Sequence, residues 1–591
     1  MHMSFPVSAI TRAPATGLAR GARLIAAAWL AVLLVACGSG SGPSEPAGPP
    51  PTQGEAARFL AQASFGATEP DINIVAGQGY AAWLNEQFAR PQALHRTYMD
   101  NMVAVLAASN ATISANTFYE SWWNQAVTGP DQLRQRVAFA LSQIFVVSFA
   151  DAALSNQPRG VASYYDMLAR NAFGNYRTLL EDVSLHPMMG NYLSMLRNQK
   201  ESATRVPDEN YAREIMQLFS IGLYQLEADG TLKTDVTGRP IETYGPADIS
   251  GLAKVFTGWS WYAGPNLTDR TSTRFNGGNA NAERDWQPMQ AYNRYTANTD
   301  YHSVSAKNFL GVSIPAQATP DPEGDLKIAL DTFFNHPNTG PFIGRQLIQR
   351  LVTSNPSPAY VGRVAAAFAN DGSGVRGDMK AVIRAVLLDA EARNHNAADT
   401  GFGKNREPVI RLANFLRAFN SRSTSGRFLG IDNTDDPASR LGQTPMRSPT
   451  VFNFFRPGYT PPGTSLAAAG LAAPELQLTH EVSVAGYLNY MRGWVGPSST
   501  RDVQQDFSAE LALAENPDAL VARMDLLLMS GQMSDTLRAQ IVAGVQGRTV
   551  PAPTLSNGVV TNQAAIDTAR RDRVSIAAFL TLASPDYLTQ K

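Results

Sequence analysis

Cysteine is nearly missing from this sequence: among 591 residues only Cys37 carries a thiol. A single thiol allows no intrachain disulfide and no cysteine-ligated metal centre, so stability must come from a packed core. An excess of charge of either sign is missing too. With 49 Lys and Arg against 50 Asp and Glu, and no basic stripe, the chain lacks the electrostatic footprint of a nucleic-acid binder. After residue 36 no apolar run is long enough to read as a membrane span. A Gly-x-Ser-x-Gly elbow, a P-loop, a dinucleotide fingerprint and a repeat period are all absent, which removes several enzyme classes and solenoids. Histidine is sparse. His95, His186, His302, His336, His395 and His480 are dispersed, without the spacing of a helical metal site, and no metal or other cofactor is expected.

What is present begins with a leader. Arg12, Arg20 and Arg23 precede an apolar run over residues 24–36, and no acidic residue lies before Cys37. The run is short for a bilayer span and right for the apolar region of a signal peptide. It closes on Leu34-Val35-Ala36-Cys37-Gly38, which resembles the bacterial lipobox. That resemblance implies acylation of the Cys37 sulfur, cleavage before it, and attachment to a membrane. One acyl chain holds a protein only marginally, at roughly 0.8 kcal/mol per buried CH₂, whereas several chains hold it firmly. Gly38-Ser39 bring no aspartate of the kind that favours inner-membrane retention in enteric bacteria, so the expected location is the cell envelope, at the outer membrane. Losing the leader with its three arginines leaves 46 basic against 50 acidic side chains, a net of −4.

Residues 1–37 are thus expected to be a lipoprotein signal peptide, 38–54 a Gly/Pro/Ser-rich tether and 55–591 a helical domain. The tether should hold the domain about 20–40 Å from the membrane. Apolar residues recur at a 3–4 spacing over 55–63, 323–335, 341–353, 358–370, 376–390 and 405–419. Thr68-Glu69-Pro70 has the grammar of a helix start, and Pro130-Asp131 opens an apolar helix predicted to run through Val147. The best strand signal is residues 223–244, where Asp229-Gly230 reads as a hairpin turn. Residues 265–300, rich in Asn, Gly, Thr and Arg, read as a long surface excursion. The fold class is therefore mainly α: a large helical body with one small β-hairpin and an aromatic-rich excursion.

Chemistry-bearing side chains are densest in Pro207-Asp208-Glu209-Asn210-Tyr211-Ala212-Arg213-Glu214-Ile215-Met216-Gln217-Leu218-Phe219. Helical periodicity puts Tyr211, Ile215 and Leu218 on one face and Asn210, Arg213, Glu214 and Gln217 on another, with Glu209 a turn before Arg213. Such a stripe either binds a polar substrate or forms an ion-pair network that fixes the helix. Aromatics supply a second hint. Trp259, Trp261, Tyr262, Trp286, Tyr292, Tyr295 and Tyr301 lie in polar, loop-like sequence, and Phe118, Tyr119, Trp122 and Trp123 form another cluster. Rings in polar loops either line a sugar cleft or pin the excursion to the body.

Asp208-Glu209-Asn210-Tyr211-Ala212-Arg213-Glu214, Leu218, Ile221-Gly222, Asp248-Ile249 and Phe256-Thr257-Gly258-Trp259 together resemble the core motif of the DUF1800 family. The likeness extends to Arg58-Phe59-Leu60-Ala61-Gln62-Ala63-Ser64-Phe65-Gly66, to His302, Lys307 and Leu310-Gly311, and to Lys404, Arg406, Glu407 and Pro408. It implies an exported, mostly helical protein of unestablished activity, whose genes neighbour those of an exported sulfatase-like family. One departure stands out. Family members carry histidines at the positions of Ser142, Ile144 and Phe219, and a divalent-metal hydrolase is correspondingly disfavoured for this chain.

Two readings remain open. In the first, a cell-envelope hydrolase or lyase acts on polysaccharide with carboxylates drawn from Asp208, Glu209, Glu214 and Asp248. Arg213 would orient one of them, His302 would assist, and Trp259, Trp261, Asn210 and Gln217 would contact substrate. In the second, a non-catalytic binding or assembly lipoprotein works with another exported, sulfatase-like protein.

Overall fold

Thr52 starts the first helix, Gln53–Ala63, with a capping box. Its hydroxyl accepts from the Glu55 amide at 3.3 Å, and Glu55 Oε2 accepts from the Thr52 amide at 2.8 Å. The folded body therefore begins two or three residues before the expected end of the tether. Thr68 caps the next helix, Glu69–Gln78, with Pro70 in its first turn. The computed structural model describes residues 50–265, 271–278, 280–292, 300–394, 399 and 401–591. Cys37 and the rest of the leader, Tyr295 and His395 lie outside the described residues.

Twenty-five α-helices occur among the described residues, against five two-stranded antiparallel sheets whose strands are two or three residues long. The chain is mainly α. The periodic segments form the helices Pro322–Asn335, Thr339–Leu351, Pro358–Ala369, Met379–Leu388 and Pro408–Ala418. No helix among the described residues is long and apolar enough to cross a membrane.

Two local readings need correction. The helix expected to reach Val147 spans only Gln132–Ser142. Beyond it Gln143 turns to donate to Glu407, and Ser148 Oγ donates to the Ser448 carbonyl at 2.6 Å. Those tertiary partners override the apolar periodicity. Residues 223–244 form a meander of three short segments through the bridges Tyr224↔Glu242, Leu226↔Leu232 and Thr234↔Pro240, not one hairpin. Asp229 and Asp235 each brace a turn by accepting from the amide two residues on. Regular hairpins with two-residue turns are Lys307–Phe309 with Val312–Ile314, whose turn residues Leu310 and Gly311 have φ of 50° and 76°, and Leu555–Ser556 with Val559–Val560.

Residues 51–591 form one compact unit around a continuous apolar core. The helix Ala115–Thr128 lies deep within it, packed by His95–Ala107, Gln132–Ser142, Pro158–Asn171 and Pro408–Ala418. Phe118, Tyr119, Trp122 and Trp123 are buried there, and Trp122 donates to the Tyr165 hydroxyl at 3.1 Å. Each such ring contributes roughly 2–3 kcal/mol of burial. The described part of the excursion is likewise pinned by its rings. Phe275 stacks on Tyr301 at 3.7 Å between centroids, and Tyr292 is fully buried.

Candidate functional site

The polar helix of the core motif spans Asn210–Gln217. Its start is held from outside: Asn198 clasps the Asp208 amide and carbonyl at 2.9 and 3.0 Å, and Asp208 Oδ1 accepts from the Asn210 amide at 2.8 Å. Tyr211 and Ile215 face the core, and Tyr211 donates to Ser184 Oγ at 2.6 Å. Asn210 and Arg213 are exposed. Arg213 lies 3.6 Å from Glu209, with both side chains more than 40 % exposed, and Glu209 also accepts from Ser250 Oγ at 2.6 Å.

Glu214 is different. It is 7 % exposed, and its Oε2 is buried without a hydrogen-bond partner. Burial raises its pKa, opposed only by Arg213. Tyr192 and Tyr244 lie nearby, and burial together with the Glu214 charge pushes both phenols up to about 12. No second carboxylate acts on Glu214.

The other candidates are spread apart. Asp208 and Glu209 border a shallow depression with Arg197, Asn198 and Arg205. Asp248 borders a separate one, with both carboxylate oxygens engaged by backbone amides, Gly245 at 2.8 Å and Leu310 at 2.7 Å. This explains its place in the motif, because it fastens the helix Pro246–Val255 to the hairpin. Gly251 allows the same contact: a Cβ there would lie 1.8 Å from the Asn308 carbonyl oxygen.

His302 sits in a closed, fully buried network. Its Nε2 is 2.9 Å from Asp325 Oδ2, and its Nδ1 is 2.8 Å from the Thr257 carbonyl. Lys307 Nζ lies 2.8 Å from the same Asp325 oxygen, and Gln317 donates to the other at 2.9 Å. Burial raises the Asp325 pKa, but these donors outweigh it and hold the carboxyl below its ordinary value. Trp259 and Trp261, expected to present ring faces to a substrate, are 3 % and 9 % exposed. Arg284 stacks on Trp261 at 4.8 Å. Of the carboxylates of the hydrolase reading, Asp208 and Glu209 share one depression, while Asp248 borders another and Glu214 borders neither.

Gln217 alone among the expected site residues borders a half-open cavity of about 320 Å³. The wall opposite is the helix Thr339–Leu351, which lines the cavity with Phe342, Arg345, Gln346, Gln349 and Arg350. The i, i+3, i+4 and i+7, i+8 spacing puts these five on one helical face. Gln143, Ile144, Leu218, Leu223, Val451, Phe452 and Pro457 complete the lining. Behind it, Glu407 accepts from Gln143 and Gln443, while the Arg350 carbonyl accepts from Arg136 at 2.7 Å and Lys404 at 2.8 Å. Lys404 pairs with Glu475 at 2.9 Å. Burial pulls Arg350 down to about 10, against the opposing charges of Glu407 and Glu475. The periodicity over 341–353 marked this helix as core-facing, and polar residues recurring within that apolar pattern were the signal for the cavity wall.

Fold and site together define a helical protein with buried ion-pair nodes and one amide-lined cavity beside its signature helix. Residues 58–589 match the family model described as DUF1800, protein of unknown function, and the chain belongs to that family. No curated protein and no solved structure matches it.

Proposed function

We propose that this protein is an exported, lipid-anchored envelope protein that binds polysaccharide in the Gln217 cavity without cleaving it. The observation that carries the reading is the lining itself. Four amide side chains, Gln143, Gln217, Gln346 and Gln349, share one cavity with the rings of Phe342 and Phe452. Amides match the paired donors and acceptors of sugar hydroxyls, and ring faces pack against C–H faces. A volume near 300 Å³ is at the small end of ligand sites and suits a single sugar unit of a longer chain. Asp248 is held by two backbone amides, His302 is sealed in a closed network, and no carboxylate lines the Gln217 cavity, which weighs against acid–base pairing on a glycosidic bond there.

The test is a glycan array with detergent-solubilised protein, repeated with Gln217→Ala and Gln346→Ala. Binding lost in both variants, with folding intact, supports the cavity; binding unchanged in both removes it. Cys37→Ser should shift the protein out of the detergent phase or leave it unprocessed, and a variant still processed and membrane-bound would refute the anchor. Glu214 favours a second reading, because a buried acid with a raised pKa can serve as a proton donor. Product release from a bound glycan, abolished by Glu214→Gln, would establish it. The family resemblance suggests an exported sulfatase-like protein as partner, and co-purification from the envelope tests that.

A further inference from the structure

We infer that the sugar held in the cavity is acidic, a pyranose bearing a carboxylate or a sulfate group, and that Arg345 binds its charge. This rests on the carbohydrate reading of the same cavity and adds the chemical class of its ligand. Arg345 and Arg350 are the charged side chains of the lining, and no carboxylate borders the cavity. Arg350 faces the buried Glu407 and Glu475 and donates to the Gln346 and Gln143 carbonyls at 3.1 Å each. Among the described residues Arg345 has no ion pair and no hydrogen bond; it is exposed at the rim, though partial burial against the wall lowers its pKa. Arg456, the other cation near this mouth, stacks on the Phe452 ring at 5.3 Å. A guanidinium left free beside an apolar wall is a ready fork for a planar carboxylate or a sulfate ester.

The floor supplies the complementary pole. Gln143 and Arg350 are 5 % and 4 % exposed, yet Gln143 Oε1 and Arg350 Nε have no partner. The Gln143 amide donates its nitrogen to Glu407, so its oxygen is left as the acceptor. Such buried orphans are costly unless something bonds to them. Both atoms are closed off from solvent, just beneath the cavity surface. Gln217 and Gln346 make no side-chain hydrogen bond within the protein and remain for hydroxyls. One helical face thus runs from Phe342 past Arg345 to Arg350, about 12 Å along the axis. Along it lie the Phe342 ring, the Arg345 cation and the Gln346 amide, the features an acidic sugar calls for.

The experiment is calorimetric titration of the detergent-solubilised full chain with three oligosaccharide probes: an oligogalacturonate, its neutral methyl ester, and a sulfated galactan oligomer. The same titrations are made on Arg345→Met, which keeps the aliphatic stem, and Arg345→Lys, which keeps the charge. Expected is at least tenfold tighter binding of one acidic probe over the neutral ester, weakened by added salt. Arg345→Met should abolish that preference, while Arg345→Lys retains part of it. Whichever acidic probe binds identifies the anion. Equal binding of neutral and acidic probes, or a preference that survives Arg345→Met, overturns the acidic assignment and leaves the carbohydrate site standing. Absence of binding to all three overturns both.

Discussion

Replacing His302 by alanine separates a structural histidine from a site histidine. The imidazole is 0 % exposed and bridges two elements, with Nε2 at 2.9 Å from Asp325 on the helix Pro322–Asn335 and Nδ1 at 2.8 Å from the Thr257 carbonyl. Alanine removes both bonds and leaves a ring-sized void. Each lost partner costs about 1–3 kcal/mol. Asp325 keeps Lys307 and Gln317, which limits the electrostatic part. Together with the void, the expected loss is about 3–5 kcal/mol. Gly258, at φ 82°, bears on the same node: a Cβ there would meet the His302 backbone nitrogen at 2.9 Å, so the two strands of chain are in tight register. For a body this large the entropy of unfolding is about 1.1 kcal/mol/K, so the melting temperature should fall by only about 3–4 °C. Denaturant titration is the more sensitive assay, with the midpoint falling and the slope unchanged. Ligand binding per folded molecule should be retained. A variant with an unshifted midpoint and abolished binding would refute the structural assignment and return His302 to the site.

Glu214→Gln should leave the protein as stable as before or raise its stability, because a buried carboxylate without hydrogen bonds is replaced by a neutral isostere; thermal unfolding that shows a marked drop contradicts this. Arg213→Ala should cost no more than about 0.5 kcal/mol, since its pair with Glu209 is solvent-exposed, and denaturant melts of the two proteins should nearly superimpose. Burial pushes His95 down to about 4, so between pH 6.5 and 4 the unfolded chain takes up a proton that the folded chain refuses, and stability falls on acidification. By pH 5 the loss from this group is about 2 kcal/mol, and it should be absent from His95→Gln. The wild-type and variant difference cancels Asp166, whose carboxyl is pushed up to about 7 by burial and gains stability over the same range.

Helix grammar was legible wherever it is local. The Thr68-Glu69-Pro70 start and the hydrophobic spacing of 358–370 and 405–419 all became helices, because capping and burial of a 3.6-residue stripe depend only on neighbours in the chain. The polar stripe of 210–217 was legible as a stripe, but its meaning was not. Periodicity placed Arg213 and Glu214 together, yet one is exposed and the other 7 % exposed, because neighbouring helices cover only part of that face. The motif residues Asp248, His302, Lys307, Lys404 and Glu407 read equally well as chemistry or as fastening. Their partners, Leu310, Asp325, Arg350, Glu475 and Gln143, lie 18 to 264 positions away in sequence, beyond any local pattern.

By itself, the sequence determined the mainly α class, the family, and the exclusion of disulfides, since these follow from composition, short-range periodicity and motif. Only the tertiary structure decided which polar groups are left without partners. Glu214 Oε2, the Gln143 oxygen and Arg350 Nε are among the buried atoms left without one, as are Glu407 Oε1 and Glu475 Oε2 close by. Satisfaction is a property of three-dimensional neighbours, and an unmet hydrogen bond has no signature along the chain.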